Sequence, residues 1–200
     1  MVTFCDLQFA VYNAVLRNAP DSIFKLFERA ANYFSTTIHV LQSAVVKIAR
    51  NSKISPNLVL YRGLSMQFPT SFQKADQNGC RGYAEWGFMS TTADRDIAVM
   101  YSGVREGRPT ATVLQIKTSS VNRPACIEMF SQYPQEREYL WVPLSYMQPE
   151  GSPIMEASDH GVLLIANVDV SSNGLASTTE DLLEKKKQLH IKGFETLVDE

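Results

Sequence analysis

Two carboxylates stand two residues apart behind a proline turn in Ser131-Gln132-Tyr133-Pro134-Gln135-Glu136-Arg137-Glu138-Tyr139-Leu140-Trp141-Val142-Pro143. Pro134 predicts a turn, and the aromatic, aliphatic and β-branched run from Tyr139 to Val142 predicts a strand closed by Pro143. If Glu136 opens that strand, Glu136 and Glu138 point to one face, because side chains alternate on a pleated backbone. Carboxylates so close repel, so one must be paired with a cation or hold its proton more tightly than usual. Both conditions suit a polar reactive site. The spacing by itself also describes a solvated strand edge with alternating charge.

Two other stretches carry chemistry. Arg62 ends an apolar run, Asn57-Leu58-Val59-Leu60-Tyr61, and is followed at once by Gly63. A guanidinium there, beside a residue that lets a backbone approach a ligand, suits an anion such as a phosphate or carboxylate; an edge-strand arginine reaching solvent is the plainer alternative. Ser90-Thr91-Thr92 places three hydroxyls at the end of the run Tyr83 to Met89. Thr92 or Asp94 can cap a following helix, Ala93 to Tyr101, but a cap does not require three hydroxyls in a row; the extra ones can orient a carboxylate or a ribose.

Three amphipathic helices open the chain between Phe4 and about Arg50. One carries Leu7, Val11, Ala14 and Val15, the next Ile23, Phe24, Phe27, Ala30, Ala31 and Phe34, and the third Ile38, Leu41, Ala44, Val45 and Ile48. Asn18-Ala19-Pro20-Asp21 separates the first two, and Ser35 or Thr36 can cap the third. Asn57 to Leu64 is the first strand, Ser65 to Gly82 a polar loop, and Tyr83 to Thr92 one short strand. Further strands are expected at Ala111 to Lys117, Ile154 to Glu156 and Gly161 to Val170. Val162 to Ala166 is apolar on both faces and so central to its sheet, while Ser177-Thr178-Thr179-Glu180 opens a last helix. Helices first and strands later predict an α+β domain. The expectation is one domain over 1–200, with a helical part over 1–55 and a β-rich core over 56–200, excised from a longer protein.

Composition excludes several classes. Apolar residues make up 44% and charged residues 20%, with a formal net charge of -2, so the chain is globular and carries no basic stripe for nucleic acid. Its three cysteines and three histidines are widely scattered, which points to neither a disulfide framework nor a metal site. No metal, nucleic-acid or membrane partner is expected, and a cytoplasmic location follows from the lack of a visible signal or spanning segment. The Gly-rich loops of Rossmann and P-loop nucleotide binding are missing.

Taken in order, Tyr61-Arg62-Gly63, Gly87-Phe88-Met89-Ser90-Thr91-Thr92 and Ser131 to Glu138 resemble the Arg, Ser-Thr-Ser and Glu-x-Glu signature of the arginine-specific mono-ADP-ribosyltransferases, the clade of vertebrate ecto-transferases and clostridial binary toxins. The resemblance covers Leu58 to Trp141. It implies a mixed, mainly antiparallel two-sheet core that takes NAD as co-substrate, releases nicotinamide and passes ADP-ribose to arginine side chains of a target protein. By the same resemblance Arg62 grips the NAD phosphates, with the Gly63 backbone near the nicotinamide amide. Ser90 orients Glu138, and Thr91 and Thr92 brace their strand. Glu138 is the catalytic residue, bonding the nicotinamide ribose 2′-hydroxyl and stabilising an oxocarbenium-like transition state. Glu136 receives the target guanidinium and helps remove its proton. Tyr133 occupies the aromatic position of the family's substrate-contacting turn-turn loop, and Tyr101 and Arg105 are the ring and cation set against nicotinamide and phosphate. Thr92 stands where the signature has Ser. Two alternatives use the same residues: an NAD glycohydrolase, with water as acceptor, and an inactive NAD-binding module.

Overall fold

Apolar residues at helical spacing give α1 (Phe4–Arg17), α2 (Asp21–Ala30) and α3 (Ser35–Asn51). The computed structural model describes residues 4–30, 32–55, 57–65, 70–77, 79–104, 110–119, 121–159, 161–172, 187 and 191. The last helix expected from Ser177, together with Arg105, lies outside them. At α3 the expected hydroxyl cap is absent. Phe34 is the cap residue, in the left-handed region at φ 51°, and makes no side-chain cap bond. Packing decides this boundary: the Phe34 ring meets Tyr12 and Phe27 edge-on, each at 5.5 Å between centroids.

Strands follow. β1 is Val59–Leu64, and the polar stretch after it holds one short helix, α4 (Thr70–Gln73), where only loop was expected. The single strand expected from Tyr83 to Thr92 is two: β2 (Tyr83–Glu85) and β3 (Met89–Thr92). The break at Trp86-Gly87-Phe88 is set by α1. The Asn13 amide accepts from Phe88 N at 2.7 Å and donates to Phe88 O at 3.3 Å, in place of a strand neighbour. Then come α5 (Arg95–Tyr101), β4 (Thr110–Lys117), β5 (Ala125–Cys126), β6 (Glu138–Trp141), β7 (Ser145–Pro149), β8 (Ile154–Ser158) and β9 (Gly161–Ser172). Asp94 caps α5 by accepting from Asp96 N at 2.9 Å.

Hydrogen-bonded strands run in the order β2-β7-β9-β4-β1-β3-β6-β5, with β8 also on β9. Among the described residues only β4 and β9 pair in parallel, and every other pair is antiparallel. β9 is central, with β4 along one side and β7 and β8 end to end along the other. Between β1 and β3 a single registered pair, Tyr61 with Thr92, joins the two halves of the path. Across that join one core is shared: Leu60, Leu114, Ile116, Met147 and Val168 pack with Met89 and Trp141. α5 covers β4 and β9 through Ala98, Val99 and Val113, and α3 covers the other half through Val45, Ala49, Phe88 and Val142. This is the expected α+β architecture, N-terminal helices followed by a mixed, mainly antiparallel core. Among the described residues no helix is long and apolar enough to cross a membrane.

Candidate active site

Strand order brings three distant stretches together. β3 lies between β1 and β6, so Arg62, the Ser90-Thr91-Thr92 run and Glu138 sit on adjacent strands although they are far apart in the chain. Ser90 is registered opposite Leu140, which places Glu138 diagonally across from it on the same face, within reach of its side chain. The Ser90 hydroxyl stands near enough to the Glu138 carboxylate to lower its proton affinity.

Glu136 reaches the site differently from the sequence expectation. It is not a strand residue: Pro134–Glu136 is a 3-10 turn with proline at its start, and Arg137 turns the chain into β6 at φ 46°, in the left-handed region. Strand alternation therefore does not align the two acids. A side chain from β3 does it instead, since the Thr92 hydroxyl donates to Glu136 O at 2.6 Å and accepts from Asp94 N at 2.9 Å, fastening the turn against the strand end. Thr91 faces the core; it donates to Tyr139 O at 2.8 Å and accepts from Trp141 Nε1 at 3.3 Å.

The two carboxylates differ in setting. Burial pushes the Glu138 carboxyl above the ordinary carboxylate range; the neighbouring Ser90 hydroxyl pulls it back, and the charge of Glu136 pushes it up again. Glu136 accepts from the Tyr101 hydroxyl at 2.8 Å. Tyr101, at the end of α5, thus meets the acid of the turn through its ring oxygen. Gly63 is where α5 approaches β1: a Cβ there would stand 2.0 Å from Ala98 O.

Arg62 is held from below. Its Nη1 donates to Ser90 O at 2.7 Å, and Nη2 lies 3.9 Å from Glu85 Oε2. Glu85 Oε1 in turn takes a 2.8 Å bond from Arg17 Nε of α1 and another, at 2.9 Å, from Gly87 N. Burial lowers the proton affinity of the Arg62 guanidinium, the Glu85 carboxylate raises it and Arg17 lowers it; an arginine in such a setting stays charged. Glu85 is a member of the site that sequence reasoning missed. Its one signal was an acid alone in an otherwise uncharged run, Tyr83 to Phe88, the acidic counterpart of Arg62 in its own strand.

These groups surround a cleft of about 650 Å³, lined by Arg62, Gly63, Ser90, Thr91, Thr92, Tyr101, Tyr133, Glu136 and Glu138, with Phe9, Ile127, Phe130 and Leu140 as apolar wall. Every residue singled out from the sequence that lies among the described ones lines it. The volume is that of a small-molecule site. A part-buried cation, a carboxylate with raised proton affinity beside a hydroxyl and a second carboxylate can together bind an anionic ligand, stabilise positive charge and accept a proton.

No protein-family model matches the sequence, and no curated protein is similar to it in sequence. Solved structures do match in shape. Plx2a, an ADP-ribosyltransferase toxin from Paenibacillus larvae, aligns with a TM-score of 0.54 at 15% identity, over 86% of this chain and 84% of that one. The ADP-ribosyltransferase Vis in complex with agmatine aligns at 0.56 and 18% identity, over 88% and 74%. HopU1, an ADP-ribosyltransferase of Pseudomonas syringae pathovar tomato, aligns at 0.52 and 24%, over 83% and 66%. The chain has the ADP-ribosyltransferase fold.

Proposed function

We propose that the chain transfers ADP-ribose from NAD to arginine side chains of a target protein, with release of nicotinamide. The observation that carries the reading is the pairing of Glu138, beside Ser90 and raised in proton affinity by burial, with Glu136 in the cleft that also holds Arg62. NAD fits the residues present. It brings an anionic pyrophosphate, for which the group of Arg17, Arg62 and Glu85 carries one excess positive charge, and a flat aromatic carboxamide, for which Phe9, Phe130 and Tyr101 line the same cleft.

In this reading the bond from ribose C1′ to the nicotinamide nitrogen breaks with its electron pair leaving on nicotinamide, and a guanidino nitrogen bonds C1′. Glu138 stabilises the positive charge that develops on the sugar, most strongly in the transition state, because its carboxylate is part-buried beside the Ser90 hydroxyl. Glu136 pairs with the planar acceptor guanidinium and takes its proton. The fold of Vis, a neighbour solved with agmatine, itself a small guanidine, supports a cationic acceptor of this class.

The test is nicotinamide release from NAD by the purified chain, with and without agmatine, beside Glu138→Gln and Glu136→Gln. The reading predicts that Glu138→Gln abolishes release under both conditions, while Glu136→Gln still hydrolyses NAD but gains nothing from agmatine. Equal release with and without agmatine, unchanged in Glu136→Gln, would make the chain a glycohydrolase.

A further inference from the structure

Below the cleft, behind Arg62, the charge group contains two members, Glu85 and Arg17, that have been given no individual role. Glu85 is buried, its side chain 8% exposed, and it spans two arginines from different parts of the fold: Arg17 on α1 at 2.8 Å and Arg62 on β1 at 3.9 Å. The same oxygen that meets Arg17 also accepts from Gly87 N at 2.9 Å, so the carboxylate is fixed by backbone as well as by charge. The turn it bonds is clamped in its own right by Asn13, one helical turn before Arg17, whose amide meets both Phe88 N and Phe88 O. Gly87 is needed there, since a Cβ would lie 2.5 Å from Asn13 Oδ1 and 3.2 Å from Arg17 Nε.

We propose that Glu85 is a positioning residue for the dinucleotide: locked by Arg17 of α1 and by Gly87 N, it holds the Arg62 guanidinium at the floor of the cleft, aimed at the phosphates. The inference rests on the NAD-cleaving reading above. Its logic is electrostatic. Among the described residues the Arg62 guanidinium makes one direct hydrogen bond, to Ser90 O, and a guanidinium has five N–H donors in a rigid fork. One bond fixes a point but not the direction of the fork; the Glu85 carboxylate beneath Nη2 fixes the second. The longer Arg62 contact and the shorter Arg17 contact also divide the carboxylate unequally. Arg17 takes most of its charge, and Arg62 keeps a surplus for an anion in the cleft. Without Glu85 the two arginines repel across a part-buried space, and Arg62 leaves its place. Helix α1 is thereby part of the binding machinery beyond its cleft-wall residue Phe9.

The experiment uses the full chain, calorimetric titration with NAD, and KM and kcat for nicotinamide release. Glu85→Gln keeps the shape and can still accept from Gly87 N, but removes the charge. The expected result is a rise of about tenfold in both Kd and KM for NAD with kcat within about twofold, because a lost partner charge weakens binding and leaves Glu138 untouched. Arg17→Met should give the same split, and Arg17→Lys, which restores the charge, should return Kd to within about threefold of wild type. Should Glu85→Gln fail to fold, Arg17→Met decides, its side chain being 33% exposed. Variants that bind NAD as wild type does, or that lose kcat while KM and Kd hold, overturn the proposal. A wild-type chain that neither binds nor cleaves NAD overturns the reading beneath it as well; an active wild type with unaffected variants overturns the positioning role alone.

Discussion

Gly63→Ala adds one methyl group where the closest neighbours are backbone. The new Cβ would lie 2.0 Å from Ala98 O, 2.6 Å from Ser102 N and 3.0 Å from Tyr101 C. None of these atoms can swing aside, because Ala98 O and Ser102 N are themselves hydrogen-bonded to each other at 3.0 Å within α5. The helix must lift from β1 by about 1 Å, an overpacking that costs about 1–3 kcal/mol. For a domain of this length each kcal/mol lowers Tm by about 2–4 °C, so a fall of about 2–12 °C is expected. The catalytic effect is larger in proportion. Tyr101 ends α5 and bonds Glu136 at 2.8 Å, and Arg62 precedes Gly63 directly, so the lift disturbs acceptor acid and cation together. A misplacement of about 1 Å in a site costs about a hundredfold in rate. The assays are a thermal melt and agmatine-dependent nicotinamide release, measured at a temperature where the variant is folded. Gly151→Ala is the control: nothing lies within 4 Å of its Cβ, and its φ of 67° leaves only backbone strain, about 1 kcal/mol, with full activity. A Gly63→Ala chain with wild-type Tm and wild-type activity would refute the claim that α5 presses on β1 there.

Four further outcomes follow from the site. Thr92→Val removes the clamp on Glu136 O and the acceptor of Asp94 N; chemical denaturation should register a loss of about 1–3 kcal/mol, with agmatine-dependent transfer reduced more than NAD hydrolysis. Tyr101→Phe deletes only the hydroxyl on Glu136, at a ring that is 55% exposed, so Tm should hold to within about 2 °C while KM for agmatine rises several-fold and acceptor-free hydrolysis stays constant. Burial, opposed by Ser90 and reinforced by Glu136, raises the Glu138 carboxyl, so the acid limb of the pH–rate profile should lie above the ordinary carboxylate range and move to lower pH in Glu136→Gln. The sign for stability is the reverse of that for a salt-bridged acid. A carboxyl raised by folding binds its proton more tightly folded than unfolded, so its contribution is full below the ordinary carboxylate pKa and is lost as pH rises through the raised one. Glu138→Gln should therefore melt higher than wild type at neutral pH and show no advantage in acid.

Three helices, most strands and the central place of Val162 to Ala166 were legible because each rests on local periodicity. Arg62, the hydroxyl run and the two acids could be nominated because a charge or hydroxyl at the end of an apolar strand has few structural uses. What was not legible depends on partners distant in the chain. Glu85 gains its role from Arg17, 68 residues away, and from Arg62 on another strand. The break inside Tyr83 to Thr92 exists because Asn13 replaces strand neighbours at Phe88, 75 residues away. Phe34 overrides a better capping residue because two rings hold it. Alternation was the wrong reason to put Glu136 and Glu138 together: a proline-initiated turn, a left-handed Arg137 and the Thr92 hydroxyl bring them to one cleft.

The central claim is that this cleft cleaves NAD and hands the sugar to a guanidinium. Its most direct test is to incubate the wild-type chain with adenine-labelled NAD and excess agmatine and to separate the labelled products. Most of the label should appear as ADP-ribosyl-agmatine. Label recovered wholly as free ADP-ribose, or left entirely in NAD, would contradict it.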